Sequence, residues 1–343
     1  MKNATVEDVA KAAGVSTFTV SRALRDMKHV APETRARVLE AAESLNYSAS
    51  KSAVALASGQ TRRIALLSRE TLSGWFMGEL TDGIYDVVAS KHYDLMVYRV
   101  GSQAEREQFF TRLPTNKNAD GLIISGFSAT ESEQKLLTNM GLPIVLVNVA
   151  TTDYSQGSAS IDDIAAEESV IRYLSALGHK NFCYFGRVDP LSSHQWGSDS
   201  RVLGYSKAIL ELGLNDLGIY RIQPNDNNAI RRILATILSN SQLPTAICAW
   251  SDLIAIALIH ELQDLSIRVP EDISVMGFDG SDVSSGSGLS TVKQPAKEIG
   301  HLAASKIIQL INGQPLDMPH TVVPCSIAPS ETTGPSHNKR GKR

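Results

Sequence analysis

From Arg63 onward the chain repeats one pattern, a short uninterrupted apolar run followed by a stretch whose apolar positions recur at helical spacing. The runs are Ile64–Leu67, Leu95–Tyr98, Gly121–Ser125, Ile144–Asn148, Phe182–Phe185, Ala246–Ala249 and Ile273–Phe278. The helical stretches lie near 77–90, 131–140, 164–177, 199–212, 252–264 and 296–312. Runs so short and continuous suit strands covered on both faces, and their alternation with helices predicts an α/β fold of doubly wound parallel sheets. About 270 residues of this pattern favour two lobes over one sheet. The expected division of this body, 63–335, is one lobe of about 63–160 and 292–321 and a second of about 161–291 and 322–331.

Residues 1–47 follow a different rhythm. Thr5-Val6-Glu7-Asp8 starts a helix in the manner of a capping box, and Val6, Val9, Ala10 and Ala13 then share a face up to Gly14, a turn residue. Ser16 is placed to cap a second helix to about Arg25 with Val20 and Leu24 inward. Pro32 suits the first turn of a third, with Val38, Leu39, Ala42 and Leu45 as its buried stripe. Residues 48–62 are small and polar around Val54 and Leu56, too poor in bulk to hold a helix alone, and read as a linker.

Charge sharpens this division. Of 33 Lys and Arg and 36 Asp and Glu in 343 residues, nine basic and six acidic residues fall in 1–62, so a head at net +3 precedes a body at −6. A basic head on an acidic body admits nucleic acid at one end. The start of the chain carries no apolar signal region, and no stretch reaches the roughly 18 apolar residues of a membrane helix. The default location is the cytoplasm, with no membrane partner. Cys183, Cys248 and Cys325 are far apart, which points to packed thiols and to no metal or cofactor. The tail 336–343 is basic and reads as frayed.

Helix, glycine turn and helix within about twenty residues is an arrangement that sets a second helix in the DNA major groove, although plain three-helix packing has the same pattern. Surface chemistry separates the two. Ser16, Thr17, Thr19, Ser21 and Arg22 offer short donors and one guanidinium fork with no nearby acid. Thr methyls and the Phe18 ring suit thymine methyls, Lys28, His29 and the first-turn amides are placed toward phosphate, and Thr5 is counted among the DNA-binding residues.

The segment Thr5-Val-Glu-Asp-Val-Ala-Lys-Ala-Ala-Gly-Val-Ser-Thr-Phe-Thr-Val-Ser-Arg-Ala-Leu24, with His29-Val-Ala-Pro-Glu-Thr-Arg35 and Leu45-Asn-Tyr47, resembles the headpiece of the lac-repressor (LacI/GalR) family of bacterial regulators. The likeness continues through Ala119-Asp-Gly-Leu-Ile123, Leu177-Gly-His179, Arg201-Val-Leu-Gly-Tyr205, Val269-Pro-Glu-Asp-Ile-Ser-Val275 and Gly277-Phe-Asp279. It implies a helix-turn-helix headpiece on a two-lobed, periplasmic-binding-protein-like body. It also implies a homodimer on palindromic double-stranded operator DNA, a small effector between the lobes, and base reading by Thr17, Phe18 and Arg22. The linker resembles the family's hinge helix, in which Leu56 matches a minor-groove wedge beside Ala53. Ala49-Ser50 stands where Pro-Asn is usual, and Val54 where Arg is usual.

Doubly wound lobes place ligands beyond the carboxyl ends of their strands. Trp75 and Phe76 follow the first strand, as core aromatics or as a stacking platform for a sugar ring. Asp162, Arg201, Ser251 and Asp279 each follow a strand or open a helix. Singly they read as caps or ion pairs; together, and as the family's effector contacts, they read as hydroxyl-binding groups. Asp162-Asp163, and Ser251-Asp252 beside Trp250, replace the usual Asp-Asn and Asn-Asp. An acidic, aromatic pocket for a neutral mono- or oligosaccharide is therefore expected, with Trp196 either at its entrance or packed within its own loop.

An enzyme and a transporter's sugar receptor share such a body. Against the enzyme, Gly-x-Ser-x-Gly is absent, His260-Glu261 lacks the second His of a zinc helix, and Gly286–Thr291 lacks the third glycine of a dinucleotide loop. Against the receptor stands the basic head. The sequence thus predicts a transcriptional regulator, a repressor whose DNA affinity responds to a sugar.

Overall fold

The computed structural model describes residues 4–24, 30–47, 60–113, 118–127, 129–149, 152–188, 197–223, 226 and 228–336. They form two compact units, Met1–Arg62 and Arg63–Arg343.

In the first unit, α1 (Val6–Ala13), α2 (Thr17–Leu24) and α3 (Pro32–Ser44) enclose a small core of Val9, Ala10, Ala13, Val20, Ala23, Val38, Ala41 and Ala42. The Asp8 amide donates to Thr5 Oγ1 at 3.3 Å and the Thr5 amide to the Asp8 carboxylate at 2.9 Å, a reciprocal cap. Gly14 ends α1 at φ +64°, and open space surrounds its Cα, so backbone angle rather than room calls for glycine. The stripe expected on α3 is corrected. Leu39 is 49% and Leu45 37% exposed, because Leu39 points about 100° from Val38 and Leu45 is the residue where the helix stops.

The second unit holds two sheets. The first comprises β1 (Arg63–Ser68), β2 (Asp94–Arg99), β3 (Gly121–Ser125), β4 (Ile144–Val147), β5 (Gly157–Ser160) and β11 (His320–Val322). Its order is β11-β5-β4-β3-β1-β2, all parallel. The second comprises β6 (Asn181–Arg187), β7 (Asn215–Ile222), β8 (Ala246–Ala249), β9 (Ser274–Asp279), β10 (Ser290–Lys293) and β12 (Ser326–Ala328), in the order β12-β10-β9-β8-β6-β7. Only β12 runs antiparallel, against β10.

Strand alternation explains why the apolar runs are unbroken. Ile64 and Leu66 of β1 join one core cluster while Ala65 and Leu67 join another on the opposite face. Three connections pass between the sheets: β5 to α7 (Asp163–Ala176), β10 to α12 (Ala296–Ile311), and β11 to β12. On the first sheet, α4 (Trp75–Ser90) packs closely along α12. A Cβ on Gly83 would strike the Lys297 carbonyl, and one on Gly300 the Leu80 carbonyl.

Elements the pattern did not announce are α5 (Gln103–Arg112), α9 (Ala229–Leu238), β7 and the short β10–β12. α5 is polar nearly all round apart from Phe109 and Phe110. β7 is an edge strand whose Asn-Asp-Leu-Gly opening lacks an apolar run. The completing helices are α6 (Glu131–Asn139), α8 (Gly197–Glu211), α10 (Asp252–Asp264) and α11 (Asp282–Gly286). No helix among the described residues is long and apolar enough to cross a membrane.

Candidate functional site

The carboxyl ends of both sheets converge on one cleft. It is lined by Arg69, Glu70, Phe76, Ser125, Gly126 and Asn148 from the first lobe, and by Asp163, Arg187, Arg201, Trp250, Asp279 and Gln294 around the second. Its volume is about 650 Å³, part of it open to solvent. Most of these residues lie at or just after a strand end, where backbone turns leave side chains uncovered by the next helix.

Arg201, on the second turn of α8, is the buried centre. Its Nε donates to Asp163 Oδ1 at 2.7 Å, and Nη1 donates to the Trp250 carbonyl at 2.6 Å. The guanidinium lies 3.7 Å from the Phe278 ring centroid and 5.1 Å from that of Trp250. Burial opposes its charge, but the carboxylates of Asp163 and Asp279 outweigh burial and hold the proton more firmly than usual. Asp279 ends β9 at φ +144°, a strained angle for a residue with a Cβ, and accepts from Gln294 Nε2 at 2.8 Å. Burial raises its pKa to about 7, the charge of Asp252 adds to the rise, and Arg201 pulls the other way.

Beneath the cleft, Glu167 of α7 is 1% exposed and its Oε1 has no hydrogen-bond partner. Burial, reinforced by Asp163 and opposed by Arg201, lifts its pKa from 4.5 to about 8. The native chain therefore holds this proton where the unfolded chain has lost it, and Glu167 weakens the fold progressively as pH rises from about 5 to 8. Glu167→Gln should accordingly gain stability relative to the native chain across that interval and differ least near pH 5. Urea unfolding at the two pH values checks this; a constant difference would remove Glu167 from the linkage. Asp279, raised in the same direction, keeps its own contribution in both proteins.

Of the six effector residues expected from the sequence, Phe76, Arg201 and Asp279 line the cleft. Trp75 opens α4 half-buried and is not in the lining. Asp162 is exposed and caps α7, accepting from the Ala165 amide at 2.9 Å. Ser251 is buried and caps α10. Its neighbour Asp252 is spent on structure, accepting from the Ser281 amide and hydroxyl at 2.8 Å each and from Thr291 Oγ1 at 2.5 Å.

Sequence reasoning passed over Glu70, Arg187 and Gln294, the last two of which strand-end position would have found, and counted Asp163 and Trp250 toward the pocket's character without naming them as contacts. With Arg69, Arg187 and Arg201 against Glu70, Asp163 and a half-neutral Asp279, the cleft is not the acidic pocket the sequence led us to expect. Two of its lining residues each hold a buried polar atom without a partner, the donor Trp250 Nε1 and the acceptor Gln294 Oε1.

On the head, α2 presents Phe18, 65% exposed, with the Arg22 guanidinium 5.5 Å from its ring centroid. Ser16 Oγ accepts from the Thr19 amide at 3.1 Å and lies 2.9 Å from Thr19 Oγ1, so these two hydroxyls cap the helix, while Thr17 is exposed and Ser21 half-buried. Its first turn has no acid. Thr5 is exposed at the start of α1, its hydroxyl engaged in the cap. Lys28, His29, Ala53, Leu56, Trp196 and the tail beyond Ser336 lie outside the described residues.

A three-helix unit with a donor-rich second helix, in one chain with a two-lobed body that holds a polar cleft, points to a DNA-binding regulator. Comparison with known proteins bears out the regulator. Residues 5–50 match the family described as bacterial regulatory proteins, lacI family, and 171–333 match a periplasmic binding protein-like domain. Catabolite control protein A of Priestia megaterium is 29% identical over 330 residues, covering 93% of this chain and 98% of that one. The transcriptional repressor PurR of Aliivibrio fischeri is 30% identical over 322 residues, covering 90% and 92%. Among solved structures, the lac repressor dimer bound to operator and the anti-inducer ONPF superposes with a TM-score of 0.83 at 23% identity, covering 97% of this chain and all of that one. A complex of the regulator CelR with cellobiose gives 0.69 at 23%, covering 96% and 99%. The chain belongs to the LacI family of DNA-binding transcriptional regulators, and it is not an enzyme.

Proposed function

We propose that the chain is a sugar-responsive repressor, working in the cytoplasm as a homodimer on a palindromic operator. One observation carries the sugar: two residues that line the same cleft, Trp250 and Gln294, each keep a buried polar atom unspent, the donor Nε1 and the acceptor Oε1, beside the aromatic rings of Phe76 and Trp250. A hydroxyl both accepts and donates, so a polyol satisfies the pair, and the C–H face of a pyranose suits the rings. The relative solved with cellobiose supports the same class of ligand.

Thr17, Phe18, Ser21 and Arg22 read bases, with Thr5, Ser16, Thr19 and His29 on the phosphate side. Residues 48–62 form the hinge, with Ala53 and Leu56 at the minor groove, and 63–335 bind effector and partner. Two half-sites require two heads, hence the dimer. Ligand that binds open and closed lobes with different affinity shifts their populations, and the hinge passes that shift to the heads.

A titration of palindromic and random DNA at two salt concentrations, with and without a panel of sugars, tests the whole reading. Salt-dependent preference for the palindrome, altered by a sugar, is expected; indifference to sequence sinks it. Arg22→Ala should cost about 1–3 kcal/mol on the palindrome and little on random DNA. Equal loss on both would reduce Arg22 to a phosphate contact.

A further inference from the structure

Arg187 is not among the effector residues the sequence suggested, and its setting is unlike that of Arg201. It ends β6 in the second lobe, yet its Nη2 meets Oε1 of Glu70, which follows β1 in the first lobe, at 3.4 Å. Its guanidinium lies 4.5 Å from the centroid of the Trp250 ring, whose other guanidinium neighbour is Arg201. Among the described residues this contact is a single long one. Arg106 shows what a committed pair looks like in the same molecule, its fork meeting both oxygens of Glu133 at 2.8 and 2.6 Å. Arg187 is thus oriented by an aromatic face, reaches into the cleft, and is touched through one nitrogen by a carboxylate borrowed from the opposite wall.

The other charged groups of the lining do not oppose an incoming anion as strongly as their number suggests. Asp163 is committed to Arg201 at 2.7 Å, and Arg69 lies on the Glu70 side. Asp279 is tied to Gln294 and sits close to neutrality, since burial holds its pKa near 7. Among the described residues Glu70 is the one carboxylate directly on Arg187, and it is only partly buried, with 29% of its side chain exposed. It can swing toward solvent at little cost.

We propose that Arg187, laid against Trp250, is the anion-reading group of the cleft, and that the effector is a sugar bearing a carboxylate or a phosphate, whose place Glu70 holds in the unliganded chain. This rests on the sugar reading above and narrows it. An acidic group on the ligand would take the fork bidentately, which Glu70 does not, and would expel Glu70 by like-charge repulsion. The direct tie between the lobes is then replaced by one through the ligand. Ligand binding is in this way coupled to the relation of the lobes, the differential contact that a switch needs.

The test is a thermal-shift series on the full chain and on Glu70→Gln, Arg187→Gln and Arg187→Lys. The probes are D-gluconate, D-glucuronate, D-galacturonate and glucose 6-phosphate, set against glucose, galactose and cellobiose. At least one acidic sugar should stabilise the native chain and bind Glu70→Gln more tightly. Its affinity should fall at least tenfold in Arg187→Gln, with Arg187→Lys between, while neutral sugars do not distinguish the four proteins. The sugar acids and the sugar phosphate separate the two sources of charge. Undiminished binding of the acidic sugar to Arg187→Gln overturns the assignment. So does a native chain stabilised by neutral sugars alone, which would leave the sugar reading intact. Silence of every sugar on all four proteins overturns both.

Discussion

Arg201→Ala should lower the stability of the body by about 3–5 kcal/mol and abolish the effector response, while DNA binding without effector survives. The loss does not come from a missing ion pair as such. The guanidinium donates to Asp163 and to the Trp250 carbonyl and packs on Phe278. Its removal leaves a half-buried carboxylate and a carbonyl without their donors and opens a void against an aromatic ring. Asp279 and Glu167 would lose their nearest cation, and both would be pushed further toward the protonated form. Arg201→Lys separates charge from geometry. It should recover part of the stability, because a cation remains, but not the response, because an ammonium cannot serve Asp163 and the carbonyl in fixed directions. Urea midpoints and the effector-dependent change in binding of labelled operator measure the two effects. A well-folded Arg201→Ala that still responds to effector would move the binding function elsewhere.

Gly300→Val should destabilise the body by about 3 kcal/mol or more, at the upper end of what overpacking costs. The reason lies in what the added atoms meet. The obstacles at Gly300 and Gly83 are the carbonyls of Leu80 and Lys297, backbone groups of the facing helix, so the pair α4 and α12 must separate rather than repack. Separation would uncover Ile299, Ala303 and Ile307 of α12 and Leu80 and Ile84 of α4, all fully buried. Gly78, on the same helix α4, is the control. Nothing lies within 4 Å of its would-be Cβ, so Gly78→Ala should be neutral or stabilising by about 0.4–1 kcal/mol. Circular dichroism melts of the three proteins decide it. A mild Gly300→Val would mean that the two helices slide apart freely.

Strands such as Gly121–Ser125 and Ala246–Ala249 were legible because burial on both faces selects a nearly unbroken apolar run. β7 was not, because an edge strand answers to one neighbour and tolerates Asn215, Asp216 and Gly218. The head was readable from its sequence because cap, turn and stripe are local properties; the stripe of α3 failed at Leu39, one position off the buried face, and at Leu45, where the helix ends. In the cleft, local rules located the strand ends but not the direction of each side chain. Asp162 and Asp163 differ by one position, yet one caps a helix in solvent and the other binds Arg201. Arg187 and Glu70 are far apart in the chain and meet only because β6 and β1 end at the same cleft, a relation that belongs to topology.

The three passages between the sheets bear on how the molecule comes off the ribosome. The outer edge of β5 is closed by β11 and the face of the first sheet by α12, while β10 and β12 complete the second sheet. Neither half of the body is therefore finished until the last strands have been synthesised. Until then the nascent polypeptide carries two open β-edges. A premature stop codon shortly before His320 would leave an open edge on both sheets at once rather than on one.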